Sequence, residues 1–230
     1  KAAPAGLTPK SRCRRQATAA AAAQELGQGV LFVAKADAVI GLITVADPVK
    51  PTAARAVAGL QALGLSSAMI TGDAERTARA VAGQIGIAEL RAGVLPEGKA
   101  GVIAEFGPGT VFVGDGINDA PALAAAEVGI AMGTGTDVAI EAGDVVLMTG
   151  DPLGVVNAVA LSRATMRNIR QNLIWAFGYN VALIPVAAGA LVPLGGPQMS
   201  PMLGAGAMAL SSVFVLTNAL RLKRFKGVQA

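Results

Sequence analysis

Between Arg170 and Arg221 the chain carries no charged residue for 50 consecutive positions, and no other feature constrains the fold as strongly. Two apolar segments lie inside this gap, NLIWAFGYNVALIPVAAGALVPL over 172–194 and SPMLGAGAMALSSVFVLTNAL over 200–220. Each reaches the roughly 20 residues that a membrane-spanning helix requires. The intervening GGPQM at 195–199 is a turn signal, so the two segments read as a helical hairpin in a lipid bilayer. Two buried helices of a soluble protein are the alternative, but core helices of that kind rarely run so far without a charge. Arg163, Arg167 and Arg170 precede the first segment, and Arg221, Lys223, Arg224 and Lys226 follow the second. The positive-inside tendency then places both flanks in the cytoplasm and the 195–199 turn outside.

Composition removes several kinds of chemistry. Only 15% of the residues are charged, against about 25% in soluble proteins. The absence of histidine excludes imidazole bases, Ser-His triads and His-ligated zinc. The single cysteine, Cys13, excludes internal disulfides and CxxC metal sites. Six phenylalanines, one tyrosine and one tryptophan are too few for a single-strand stacking platform, so no nucleic-acid partner is expected.

Upstream of the gap, strand and helix patterns alternate. Residues 30–34 and 39–45 are β-branched runs that pair as a hairpin. Helices are expected over 53–63, 75–85 and 98–105, and strands over 67–70, 111–113, 128–132 and 145–148, with a short helix at 138–141. Such alternation implies an α/β fold with a mostly parallel sheet covered by helices on both faces. A further helix over 151–170 is expected to run on into the first apolar segment. Residues 1–29, basic and then alanine-rich, read as a loose tail or as the remnant of another domain. The opening Lys1 suggests a fragment or a processed product.

In open α/β sheets ligands bind beyond the carboxyl ends of the strands, and three loops fall there. Thr71-Gly72-Asp73 follows the 67–70 strand, Lys99 opens the helix after Leu95-Pro96, and GDGIND over 114–119 follows the 111–113 strand. They supply a hydroxyl, an ammonium, carboxylates, a carboxamide and glycines that let backbone amides approach an anion. Mg²⁺-dependent phosphoryl chemistry needs such a set, because hard Mg²⁺ prefers carboxylate oxygen and a lysine neutralises the transferring group. Taken alone, Asp73 could cap the following helix and Lys99 could be a solvated surface lysine. Two glycines, two acids and an amide directly after a buried strand are harder to explain as a mere turn.

In order and spacing, DPVKP (47–51), TGD (71–73), Lys99 within LPEGK and GDGINDAPAL (114–123) resemble the phosphorylation domain of P-type ATPases, in the haloacid-dehalogenase-like superfamily. A final helix pair after this domain resembles the heavy-metal branch. The resemblance covers about 30–226 and implies a Rossmann-type domain over 30–150, a connecting helix over 151–171, transmembrane helices over 172–194 and 200–220, and a cytoplasmic basic tail over 221–230. It implies ATP as substrate and Asp115 as the Mg²⁺ ligand, with Asn118 and Asp119 supporting the phosphate and its metal. Thr71 would hydrogen-bond a phosphoryl oxygen, Lys99 would neutralise the group, and Gly72 and Asp73 would complete the loop. Asp47 would mark the hinge where the chain re-enters the domain from a nucleotide-binding domain, or would cap the next helix.

Within the apolar segments, Tyr179 and Asn180 lie in the first, and Met208 and Ser212 lie four apart on one face of the second. Polar groups at membrane depth face protein or a pathway, and a thioether selects Cu(I). Interhelical hydrogen bonding and packing by methionine are the plainer reading. By resemblance, a Tyr-Asn pair followed by Met and Ser looks like the copper(I) branch, with silver(I) as a close alternative, whereas the zinc and cadmium branch places a lysine and an aspartate in these spans. The implied protein exports Cu(I), delivered by a copper chaperone, across the plasma (inner) membrane, with the phosphorylation domain and C-terminus cytoplasmic.

The departures are as specific. No Asp-Lys-Thr-Gly-Thr stretch, Cys-Pro-Cys span or Thr-Gly-Glu loop occurs in this sequence. Without the nucleophile no aspartyl-phosphate can form, so the chain is expected to be inactive alone and to need the missing N-terminal part of a pump. A membrane-tethered phosphatase of the same superfamily is a second possibility, although it would require an Asp-x-Asp pair that the sequence lacks. A non-enzymatic protein that binds metal or a pump is the third.

Overall fold

The computed structural model describes residues 9–35, 38–45, 48–133, 136–196 and 200–228. These divide into two compact units, one up to Val156 and one from Asn157 onward.

The first unit begins with helix α1 (Pro9–Glu25), in the region whose composition suggested a loose tail or a domain remnant. Ala20 and Ala23 on this helix are buried. Strands β1 (Gly29–Lys35) and β2 (Ala38–Val45) form the expected antiparallel hairpin, from Gly29 opposite Val45 to Lys35 opposite Ala38, with a one-residue register shift between Val33 and Ala34. Helix α2 (Ala53–Ala62) follows and ends before Gly64, whose φ of +75° only glycine adopts freely.

Strand β3 (Ala68–Ile70), helix α3 (Glu75–Ile85) and strand β4 (Glu89–Arg91) then make a parallel βαβ unit. Helix α4 (Lys99–Phe106) leads to β5 (Val111–Gly114), α5 (Ala120–Ala125), β6 (Val128–Met132), α6 (Asp137–Ala142) and β7 (Val145–Leu147). The parallel ladder runs β5-β6-β7, while β3 and β4 pair separately. The expected parallel sheet is therefore present in two pieces. Among the described residues β5 is paired on one side only, and its Val111 and Val113 are partly exposed.

Two small apolar clusters hold these elements. Leu123, Ala131 and Ala139 are fully buried, with Phe112 and Ile140 packed against them. Ala56, Leu153 and Val156 form the other cluster, with Leu60 and Leu63.

In the second unit, helix α7 (Leu153–Ala187) continues without a break out of the first, as expected. It stops at Ala187, short of residue 194. Gly189 takes φ +84° and the Ala190 N–H reaches back to the Pro185 carbonyl at 3.0 Å, a Schellman-type ending. A 3₁₀ turn at Val192–Leu194 follows, and then helix α8 (Pro201–Leu220). Among the described residues, Gly204–Arg224 is the one stretch long and apolar enough to cross a membrane. The uncharged part of α7, 171–187, would rise about 25 Å against a hydrocarbon core of about 30 Å. The helices run antiparallel, with the Trp175 and Phe214 rings stacked 5.6 Å apart and 9° from coplanar.

Candidate active site

The candidate chemistry sits where the parallel strands end. After β3 the backbone of Thr71–Asp73 is held by three hydrogen bonds. Thr71 N–H donates to Arg91 O (3.0 Å), Val94 N–H to Thr71 O (3.0 Å) and Gly93 N–H to Asp73 O (3.0 Å). The Thr71 hydroxyl donates to Asp73 Oδ2 at 3.0 Å and accepts from the Asp73 N–H at 3.1 Å. Asp73 does not cap α3, because the residue at the cap is Ala74 and it makes no side-chain bond. The TGD loop is thus a braced turn whose hydroxyl and carboxylate are exposed and face each other.

Lys99 is not a solvated surface lysine. Its ammonium donates to Asp119 Oδ1 at 2.6 Å, and the two side chains are only 15% and 13% exposed. The other carboxylate oxygen of Asp119 accepts the Gly116 N–H (3.1 Å) and the Asp115 N–H (3.3 Å), folding the GDGIND loop around itself. Gly114 is required by this close approach, since a Cβ there would stand 2.7 Å from Asp119 Cβ. Asp115 is anchored through its carbonyl, which accepts the Thr136 N–H at 3.0 Å, while its carboxylate and the Asn118 side chain are exposed. Thr71 with Asp73, and Lys99 with Asp119, are therefore two separate pairs.

Among the described residues no three acids converge on a point. Mg²⁺ does not need such a cage, for it commonly takes one or two carboxylates, with waters and phosphate oxygens completing an octahedron. One exposed carboxylate on a rigid loop, Asp115, fits that requirement.

Asp47 lies outside the described residues. Beside it the structure reveals a clasp that the sequence did not signal. Lys50 Nζ donates to Gly150 O (2.8 Å), and the Thr52 hydroxyl and the Leu153 N–H donate to Asp151 Oδ1 at 2.6 and 2.9 Å. Those two bonds, the Thr52 one foremost, hold the Asp151 carboxyl below its usual pKa, aided by Arg55 and Lys50.

In the second unit the hydrogen bonds of the candidate transport residues Asn180 and Ser212 do not cross from one helix to the other. Asn180 Nδ2 donates to Ala176 O at 2.7 Å, and the Ser212 hydroxyl donates to Met208 O at 3.2 Å, each within its own helix. Interhelical hydrogen bonding, the plainer reading of these polar groups, is therefore not what Asn180 and Ser212 do. Met208 is 65% exposed, and Tyr179 is half-buried. The polar contacts between α7 and α8 come instead from Asn168, Asn172 and Asn218, which sequence reading passed over.

A braced TGD turn, and a largely buried lysine at the start of α4 paired with Asp119 of the GDGIND loop, sit at the ends of parallel strands in an α/β domain. The chain belongs to the haloacid dehalogenase-like hydrolase family, whose model matches residues 8–127, with a second model of the same description over 109–159. The resemblance to P-type ATPases also holds. The chain is 58% identical over 200 residues to Copper-transporting ATPase 1 of Rhizobium meliloti (strain 1021), covering 86% of this chain and 24% of that protein. It is 53% identical over 200 residues to the silver exporting P-type ATPase of Salmonella typhimurium, with the same coverage of 86% and 24%. Among solved structures, a zinc-transporting PIB-type ATPase in its E2.Pi state superposes with a TM-score of 0.74 at 39% identity, covering 90% of this chain and 33% of that one. The chain spans about a quarter of the length of the curated relatives it matches.

Proposed function

We propose that this chain is the part of a Cu(I)-exporting P-type ATPase that handles the phosphoryl group and supplies two of the pump's membrane helices, with Ag(I) as the nearest alternative cargo. The observation that carries the reading is the 2.6 Å pairing of Lys99 with Asp119 across two loops, beside an exposed Asp115. It supports a site in which a cation and a carboxylate are preorganised where charge on a transferring phosphoryl group must be neutralised.

In the whole pump an aspartate absent from this sequence would attack the γ-phosphorus of ATP, and the bond to ADP would break. Lys99 would neutralise the transferred group and the Thr71 hydroxyl would donate to one of its oxygens, steadied by Gly72 and Asp73. Asn118 and Asp119 would fix the loop, and Asp115 would hold Mg²⁺. Bound there, the ion supplies positive charge against the phosphate oxygens. Asp47 would serve as the hinge to a nucleotide-binding domain. Hydrolysis of the aspartyl-phosphate would then complete the cycle.

The cargo reading rests on Met208 and Ser212 on one face of α8, on Tyr179 and Asn180 in α7, and on the lack of any lysine or aspartate between Arg170 and Arg221. The protein would be integral to the plasma (inner) membrane with the phosphorylation domain cytoplasmic. It would receive Cu(I) from a chaperone and depend on the rest of the pump for activity. The test is a Cu(I) competition titration of the detergent-solubilised chain against a chromophoric chelator. Met208→Ala and Ser212→Ala are expected to weaken binding, and equal competition by both variants and the parent chain would overturn the cargo assignment. Covalent uptake of phosphate from ATP by the purified chain would overturn its inactivity alone.

A further inference from the structure

Asn157, Asn168 and Asn172 stand eleven and fifteen residues apart on α7, spacings that return them to one helical face at 3.6 residues per turn. All three hold the end of the chain. Asn168 Nδ2 donates to Asn218 O at 2.6 Å, and Asn218 Nδ2 donates to Asn172 Oδ1 at 2.9 Å and to Asn168 O at 3.4 Å. Asn172 Nδ2 closes the set on Asn168 Oδ1 at 3.2 Å, and Arg221 donates to Asn218 Oδ1 at 3.0 Å. Asn168 is buried, with 8% of its surface exposed. Further along, Asn157 grips one residue twice, Nδ2 donating to Val228 O (3.1 Å) and Oδ1 accepting the Val228 N–H (2.6 Å).

A carboxamide that pairs with both the N–H and the C=O of one residue reads backbone rather than side chain, as a neighbouring strand would. The neighbouring residue must then be small. A Cβ on Gly227 would lie 2.7 Å from Asn157 Oδ1 and 2.9 Å from its Cγ. The two grips are independent and lie at opposite ends of one segment.

We propose that Asn218–Val228 is a strap, bound along the asparagine face of α7, which locks α7 and the end of α8 into one register. The 3₁₀ turn at Arg221–Arg224 carries the chain from one grip to the other. Four basic residues, Arg221, Lys223, Arg224 and Lys226, lie on the strap, so its docking decides whether they are held against α7 or swing free. The proposal is independent of the cargo and of the phosphoryl chemistry.

The strap carries its own protease sites, and the test is limited trypsinolysis of the full 230-residue chain in detergent, following cleavage after Lys223, Arg224 and Lys226. A docked strap resists cleavage. Gly227→Val alters an exposed tail residue that no core needs, and Asn157→Ala keeps a good helix former in α7. Each is expected to speed cleavage after Lys226 about tenfold, the loss of roughly two neutral hydrogen bonds. Asn180→Ala, whose amide bonds only to its own helix, is expected to leave the rate unchanged. Cleavage of Gly227→Val and Asn157→Ala at the parental rate would overturn the proposal.

Discussion

Removing the Asp119 carboxylate should loosen the GDGIND loop by an amount that its geometry sets. Asp119→Ala leaves three donors without their acceptor: the Lys99 ammonium (2.6 Å), the Gly116 N–H (3.1 Å) and the Asp115 N–H (3.3 Å). The longest of these contributes least. Charge-assisted bonds are worth about 1.5–3 kcal/mol each, and the substitution also recovers the desolvation cost of a carboxylate only 13% exposed, so the net loss is ~2 kcal/mol. At 1.4 kcal/mol per tenfold, backbone amides over 111–126 should exchange with deuterium about thirtyfold faster. Lys99→Met leaves Asp119 its two backbone donors and should cost ~1 kcal/mol, about fivefold in the same peptides. Hydrogen-exchange mass spectrometry of the detergent-solubilised chain reads both, and the double variant should cost less than the sum of the singles because the two share one bond. Parental exchange rates in Asp119→Ala would refute the reasoning, as would strict additivity in the cycle.

Three other perturbations test separate parts of the structure. Gly114→Ala puts a methyl 2.7 Å from Asp119 Cβ, so it should displace that side chain and accelerate exchange in 111–126 much as Asp119→Ala does. Asp151 is held below its usual pKa by Thr52 and the Leu153 N–H, so its stabilising effect is complete above the ordinary carboxyl pKa and is lost as pH falls through the lowered folded value. Protection of the first turn of α7 should therefore drop at the acid end of a titration, and Asp151→Asn should lack that step. Asn218→Leu removes the central amide of the α7–α8 contact and should disturb the nearby stack of Trp175 on Phe214, read as a change in emission of the chain's single tryptophan.

What was legible in the sequence was what neighbours along the chain decide. Glu75–Ile85 declares a helix by its own apolar spacing, and Val128–Met132 declares a buried strand by its run of apolar residues. The strand Glu89–Arg91 was invisible, because Glu-Leu-Arg has no strand pattern of its own and exists as one only by pairing with β3. Helix α5 was hidden behind the GDGIND motif and Pro121, which read as loop. Lys99 and Asp119 stood out in the sequence as candidates, but their pairing was not legible, since it depends on two segments 20 residues apart meeting in space. Asp73 was open to a capping role that the structure gives to no side chain. The asparagine contacts lay beyond reach for the same reason, as their partners are 46 to 71 residues apart.

The separation of β3-β4 from β5-β6-β7 has a consequence for cooperativity. Among the described residues no backbone ladder runs between the two pieces, so heat or denaturant acts on two separately zippered units within one domain. Opening one leaves the ladder bonds of the other intact, and the protein's own map of local opening energies should show a step between them rather than a single plateau.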